Sequence, residues 1–223
     1  MEAVEMMNRS SYLNCNNWDY SDHPKRHSAL SERCFEVYKE IEENRLGILD
    51  LLADSRPTHK HLFEFAAPSD CEYMAGHYRG EDFPCLANCW VGIESDSSVG
   101  YAPSIVLETM KVFGDISTNS IHALDPIIQD SNFSIERKII RAVTSACDIF
   151  EYFLRIHPYA NGNGHLSRML LWATLKRYNF EPRGLTIDTR PISPYATLIK
   201  SYREDDKKPL IAKILNFINA NGT

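Results

Sequence analysis

The stretch "HPYANGNGHLSR", residues 157–168, places a histidine, two glycines and an arginine within twelve positions. Asn-Gly pairs are strong tight-turn signals because both residues tolerate positive φ. Glycines at 162 and 164 also let successive backbone N–H groups converge, and the start of a following helix adds its own unpaired donors and positive dipole end. Together these make an anion site, most naturally a phosphate site. Asn163 offers a side-chain amide donor to the same anion. Arg168 falls one turn into the new helix, where a guanidinium can fork onto phosphate or carboxylate. His157 stands at the other lip, with an ordinary pKa of about 6.5, as a base for an attacking hydroxyl. Cradle, clamp and base are the parts of phosphoryl or nucleotidyl transfer. A structural account competes with this one: His157 caps the preceding helix, the glycines turn the chain, and Arg168 pairs with a surface carboxylate.

Those residues need two helices to position them. Ser134 opens the clearest helical pattern, with Ile139, Ile140, Val143, Cys147, Phe150 and Leu154 on one face. It ends where Pro158 drives His157 out of the α region. Leu166, Met169, Leu170, Ala173 and Leu175 then carry a second helix to about Tyr178.

Upstream, residues 1–27 are polar and aperiodic and read as a loose arm. A helical extension over 28–57 follows, with Leu30, Cys34, Tyr38 and Ile41 and then Leu46, Leu49 and Leu52, stopped by Pro57. Thr58 caps a third helix, broken at Pro68. "GHYRGEDFPCLANCWVGI" suggests a short hairpin or flap, the one place where strand is expected. Pro103 precedes another helix with Ile105, Leu107, Met110 and Phe113 available for burial, and a helical pair closes the chain. The fold class is therefore mainly α with one small β element.

Composition narrows the function. The 223-residue chain is 43% hydrophobic and 24% charged, as expected of a packed domain. A net charge of -6 and a pI of about 5.8 argue against a dedicated nucleic-acid binder. No apolar run of membrane length and no signal core is present, so a cytoplasmic protein without a membrane partner is expected, with delivery into another cell as an alternative. The six cysteines form no C-x-x-C pair. Cys85, Cys89 and His77 lack a fourth zinc ligand at a familiar spacing, and free thiols are the default.

The 157–168 stretch resembles the signature of the Fic domain family, H-P-F-x-[D/E]-G-N-G-R-x-x-R. It matches at His157, Pro158, Gly162, Asn163, Gly164 and Arg168, and Tyr159 stands where the pattern has Phe. "HLFEFAAPSDCEYMAGHYRG" resembles the family's helix leading to an A-G-x-Y-R element. "YAPSIVLETM" is similar to the segment after its flap, and "SPYATLIKSYREDDKKPLIAKIL" to its closing helices. The resemblance spans residues 58–217 and leaves 218–223 as a tail.

The resemblance implies a Fic-type helical domain with a β-hairpin flap and a protein nucleotidyltransferase that moves AMP from ATP onto a Ser, Thr or Tyr hydroxyl of a target protein. His157 would be the general base, Asn163 would contact the α-phosphate, the amides around Gly162 and Gly164 would form the anion hole, and Arg168 would hold the γ-phosphate. The flap, about residues 80–93, would align the target by strand addition, with Phe83, Leu86 and Trp90 as docking or packing residues.

Two positions depart from the pattern. Asn161 replaces the acid that binds Mg²⁺, leaving only a neutral amide oxygen as a weak metal candidate. His165 replaces an Arg, so one positive charge beside the phosphates is lost or made pH-dependent. The readings are transfer with a Mg²⁺ held mainly by the phosphates of ATP, transfer from another phosphate-bearing donor, or a catalytically silent module that binds nucleotide or protein. For an inhibitory Ser-x-x-x-Glu helix the nearest approach is Ser28 to Glu32, with Arg33 where Gly or Asn is expected; a separate inhibitory partner is the alternative.

Overall fold

The computed structural model describes residues 18–93 and 96–219, and these are mainly helical. A 3-10 turn at Tyr20–Asp22 leads into α1 (Arg26–Glu42), α2 (Ile48–Ala53) and α3 (Arg56–Phe63). Irregular chain through residues 75–102 precedes α4 (Pro103–Gln129) and α5 (Ile135–Ile156). Then come α6 (Asn163–Arg177), α7 (Tyr195–Arg203) and α8 (Lys208–Asn219). No described helix is long and apolar enough to cross a membrane.

The two helices flanking the 157–162 loop form the middle of the molecule. The Ser134 side chain caps α5 by accepting the Arg137 N–H. The helix buries Val143, Cys147, Phe150, Phe153 and Ile156, while Ile140 from the expected face is half exposed. Helix α6 is enclosed on all sides: Leu166, Met169, Leu170, Ala173 and Leu175 are buried as their spacing predicts, and so are Ser167, Leu171 and Thr174 between them. The apolar spacing marks the helix, but its enclosure on the other faces comes from its neighbours and not from that stripe. One core gathers α1 to α4 against α5 and α6, through Leu30, Val37, Phe63, Phe113 and Phe153. A second joins α5 and α6 to α7 and α8 through Phe150, Leu175, Ile199 and Leu210.

Other elements differ from the pattern-based expectation. Pro57, read as a helix stop, lies in the first turn of α3, where its missing N–H and fixed φ are harmless. Along α4 the buried face is Val106, Met110, Phe113, Ser117, Ile121 and Leu124; Ile105 and Leu107 are largely exposed. Residues two apart do not share a helix face, so Ile105 and Leu107 flank buried Val106, and of the expected set only Met110 and Phe113 lie on the buried stripe. In the flap region the described residues contain turns and one isolated antiparallel bridge, Ile93 with Asp96, rather than paired strands. Its glycines and Pro84 curl the chain, and Cys85 and Leu86 are drawn into a small core with Cys71 and Met74. Of the cysteines, Cys34, Cys71, Cys89 and Cys147 are free thiols, whereas Cys85 is disulfide-bonded.

Candidate functional site

His157 closes α5 in the left-handed region, φ 54° and ψ 60°, with its N–H still donating to Phe153 O. Its Nδ1 lies 3.1 Å from Leu154 O. A carbonyl only accepts, so Nδ1 carries the proton and the Nε2 lone pair is left to act as a base. Burial, with the Arg79 and Arg203 cations, pushes the His157 pKa down to about 4 against the opposing Leu154 bond. At neutral pH the imidazole is therefore uncharged, protonated at Nδ1 alone.

The loop that follows is held from beneath. Tyr159 is fully buried, stacked on His59 at 3.7 Å between ring centroids, with its hydroxyl 2.7 Å from Ser55 Oγ. Gly76 N–H donates to His59 Nδ1 at 2.9 Å, so His59 Nε2 carries the proton and donates to Asn161 O at 3.0 Å. Asn163 is buried too, and its amide donates to Tyr159 O and accepts Tyr159 N–H. Gly162, at φ +80°, could not be replaced: a Cβ there would lie 2.4 Å from Phe63 Cε2.

Helix α6 starts at Asn163, so the N–H groups of Asn163 and Gly164 have no intrahelical acceptor. Arg168, 3% exposed, reaches back beside them. Its Nε and Nη2 both donate to Ile187 O, at 3.1 and 2.8 Å. Its Nη1 faces Gly164, where a Cβ would stand 3.3 Å away. Arg168 forms no ion pair among the described residues, so the surface carboxylate of the structural account, and a Glu32 brake, are not found at it. The Asp188 carboxylate lies near enough to act on it only through space; a buried guanidinium without an ion-pair partner is expensive and suits an anion.

The remaining predicted site residues fall out differently. Asn163 is occupied with Tyr159 rather than open to a phosphate. The Gly162 N–H donates to Asn161 Oδ1 at 2.7 Å, which takes one amide from the cradle and the amide oxygen from any metal. His165 is 6% exposed and its Nε2 donates to Asp188 O at 3.0 Å. Burial and the Arg168 cation push its pKa down to about 4, so it adds no charge at neutral pH. In the flap, Leu86 is fully buried and Phe83 stacks on Tyr73 at 4.8 Å, which makes both packing residues; Trp90 is 72% exposed. His77 Nδ1 is bonded to Glu81, and no three His, Cys, Asp or Glu side chains among the described residues cluster as metal ligands.

Two cavities meet over the loop. One, of about 250 Å³, is lined by Tyr20, His157, residues 160–165 and Arg168. The second, of about 490 Å³, shares His157, Gly164, Arg168 and Arg190 with it and extends between α5 and α7 along Phe150, Leu154, Tyr195 and Ile199. The Tyr195 hydroxyl is buried without a hydrogen-bond partner among the described residues. A polar cradle joined to a more apolar chamber suits a phosphate ester with a bulky organic end.

No protein-family model matches the chain, and no curated protein matches it either.

Arg79 is the organiser that the loop alone did not reveal. Fully buried, it donates through Nε to His157 O at 2.7 Å, through Nη1 to Cys89 O at 2.9 Å, and through Nη2 to Tyr101 O and Ile156 O. One side chain thus ties the end of α5 to both ends of the flap. Its signal was the "AGHYR" element, whose arginine has a position but no chemistry of its own in sequence. Arg203 makes a second tie, pairing with Asp96 beyond the flap and with buried Glu151 on α5. Residues 18–22, expected in the loose arm, lie against the loop: Trp18 Nε1 donates to Ala66 O at 2.7 Å, and the Tyr20 ring packs on Phe63 and His165.

Proposed function

We propose that this chain is a protein nucleotidyltransferase of Fic type, with residues 58–217 as the transferase domain, moving AMP from ATP to a Ser, Thr or Tyr hydroxyl of a target protein. The observation that carries the reading is the pairing of two groups across one cavity: the Nε2 of His157, which has no hydrogen-bond partner among the described residues, and the buried guanidinium of Arg168, which forms no ion pair among them, with the α6 amides lining the same cavity. A base alone suits many hydrolases, and a buried cation alone suits many binding sites. Their combination over a glycine-lined helix start favours attack on phosphorus.

In this reading the target hydroxyl gives its proton to His157 Nε2 while its oxygen bonds to the α-phosphorus, and pyrophosphate leaves with the electrons of the broken P–O bond. Arg168 and the α6 amides hold phosphate oxygens. The nucleoside occupies the chamber beside Tyr195, and the flap with exposed Trp90 borders the target. Negative phosphates near His157 oppose the field of Arg79 and Arg203 and strengthen the base when the donor binds. A divalent cation, when bound, neutralises charge on the phosphates.

The second reading, a silent nucleotide- or protein-binding module or one using another phosphate-bearing donor, draws on the neutral His165 and the engaged amide oxygen of Asn161. Labelled ATP incubated with the protein and a cell lysate separates them. Label on protein that is absent with His157→Ala supports transfer; ADP binding without covalent product under any nucleoside triphosphate supports the module.

A further inference from the structure

A third cavity, of about 290 Å³, opens between α1 and the segment 185–188, and none of its lining residues lines the two cavities over the loop. Positions 31, 34, 35 and 38 share one face of α1 and form one wall. The segment 185–188 forms the other, and Trp172 of α6 completes the lining.

Two properties of this lining bear on what it can hold. The first is aromatic surface. Tyr38 and Trp172 have ring centroids 4.6 Å apart and planes inclined at 58°, so they meet as two walls rather than as a parallel stack. Phe35, one position along the cavity, is 55% exposed. The second is charge. Among the described residues that line the cavity, Asp188 alone is charged at neutral pH. The Cys34 thiol stays neutral, pushed up to about 12 by burial and then by the Asp188 carboxylate, against the Arg168 cation. Ser31 Oγ donates to Asp188 Oδ2 at 2.9 Å and holds the carboxylate at the cavity. Two cations stand close by without lining it: Lys39, whose ammonium lies 4.5 Å from the Phe35 centroid and lines a different cavity, and Arg168, which donates to Ile187 O.

A lining whose single charge is negative disfavours an anion. A hard metal cation needs several oxygen ligands, and no three His, Cys, Asp or Glu side chains cluster among the described residues. A quaternary ammonium needs no hydrogen-bond acceptor. Aromatic faces and a negative charge are what attract it, and these are what the cavity presents.

We propose that this cavity binds a small organic cation bearing a trimethylammonium group, with Phe35, Tyr38 and Trp172 around the onium group and the Asp188 carboxylate as its counter-charge. The site stands independently of the nucleotide reading, although the main-chain oxygens of Ile187 and Asp188 reach Arg168 and His165.

The test is calorimetry on the full chain with choline and with its uncharged isostere, in which a tert-butyl group replaces the trimethylammonium. Choline should bind at least about tenfold tighter, because rings and carboxylate discriminate by charge. Phe35→Leu keeps apolar bulk at a half-exposed position and removes the ring; it should weaken choline about two- to fivefold and leave the isostere unchanged. Asp188→Asn keeps an acceptor for Ser31 and removes the charge, and should weaken choline about fivefold or more, again without effect on the isostere. Equal affinity for choline and isostere, or choline binding that neither variant weakens, would make the cavity an apolar crevice and overturn the inference, as would absence of choline binding to the unmodified chain. A trimethyl-lysine peptide or phosphatidylcholine vesicles bound more than about tenfold tighter than choline would move the onium group onto a protein or a lipid and overturn the small-molecule assignment.

Discussion

Asn163 closes a ring on Tyr159: its Nδ2 donates to Tyr159 O at 2.8 Å and its Oδ1 accepts the Tyr159 N–H at 2.9 Å. The five residues Tyr159 to Asn163 are thereby closed into one turn. In the proposed function this closure preorganises the cradle before the phosphate arrives, which is where such a site would gain most of its strength.

That ring sets the first prediction. Asn163→Asp keeps the acceptor but turns a carboxylate oxygen toward Tyr159 O, leaving a buried carbonyl without its donor. We expect a loss of about 1–3 kcal/mol in urea denaturation, larger than for Asn163→Ala, which removes the repulsion along with the bond. An Asp variant as stable as the native chain would mean that the loop is not held this way.

Arg168 should behave in the opposite sense. Its guanidinium is desolvated and has only the Ile187 carbonyl as a partner among the described residues. In Arg168→Met the relief of that burial offsets the lost hydrogen bonds, and the unfolding free energy in urea should change by less than about 1 kcal/mol. ADP affinity measured by calorimetry should fall more than tenfold. Destabilisation with binding retained would assign Arg168 to the core.

Three histidines make stability depend on pH. Burial, opposed by the Asn161 bond, pushes His59 down to about 3; burial also takes His157 and His165 down to about 4. Each binds a proton in the unfolded chain near its ordinary value of about 6.5 and not in the folded one. A depressed folded pKa thus contributes stability present above about pH 6.5 that is lost as pH falls toward about 4. The urea midpoint should decline steadily over that window, with a slope of up to about three protons. For His59 protonation would also displace the Gly76 N–H from Nδ1, so the loop should loosen with the fold. A flat profile between pH 6.5 and 4.5 would contradict the buried, neutral imidazoles.

For His157 itself, the proton NMR titration of the imidazole C2 resonance should have its midpoint well below 6.5, near about 4. His157→Ala should abolish label transfer yet keep ADP affinity within about threefold, because the imidazole faces the attacking hydroxyl rather than the held phosphates. A parallel loss of binding and transfer would make it a phosphate ligand instead of the base.

What could be read in advance follows a physical line. The helices around the loop were legible because each has a capped start or an apolar rhythm: Ser134, then Val143, Cys147 and Phe150; Leu166, then Met169 and Leu170. On α4, Ile105 and Leu107 are apolar but stand two residues apart on different faces, and the consistent i, i+3, i+4 set is the one through Val106, Met110 and Phe113 that is buried. At the site, residue types named the chemistry of His157 and Arg168. Partners could not be named, since they arrive from distant segments: His59 under the loop, Ile187 and Asp188 behind the helix, Asp19 in front. Asn163 illustrates the limit, because an amide is equally able to meet a phosphate or a backbone, and the fold uses it for the backbone.

Tyr195 gives the clearest separation of binding from folding. Tyr195 is 3% exposed at the start of α7, and its hydroxyl is buried without a protein hydrogen-bond partner among the described residues. A buried hydroxyl that lacks a protein partner costs roughly 1–3 kcal/mol. Tyr195→Phe deletes the hydroxyl and nothing else, so the variant should be as stable as the native chain or more so by up to that amount in urea denaturation. If the chamber receives the organic end of the donor, the same change should weaken ADP several-fold while leaving inorganic pyrophosphate, which needs only the cradle, unaffected. A Phe variant that loses both ligands alike would place the hydroxyl with the phosphates, and one that loses neither would show that the chamber takes no part in binding.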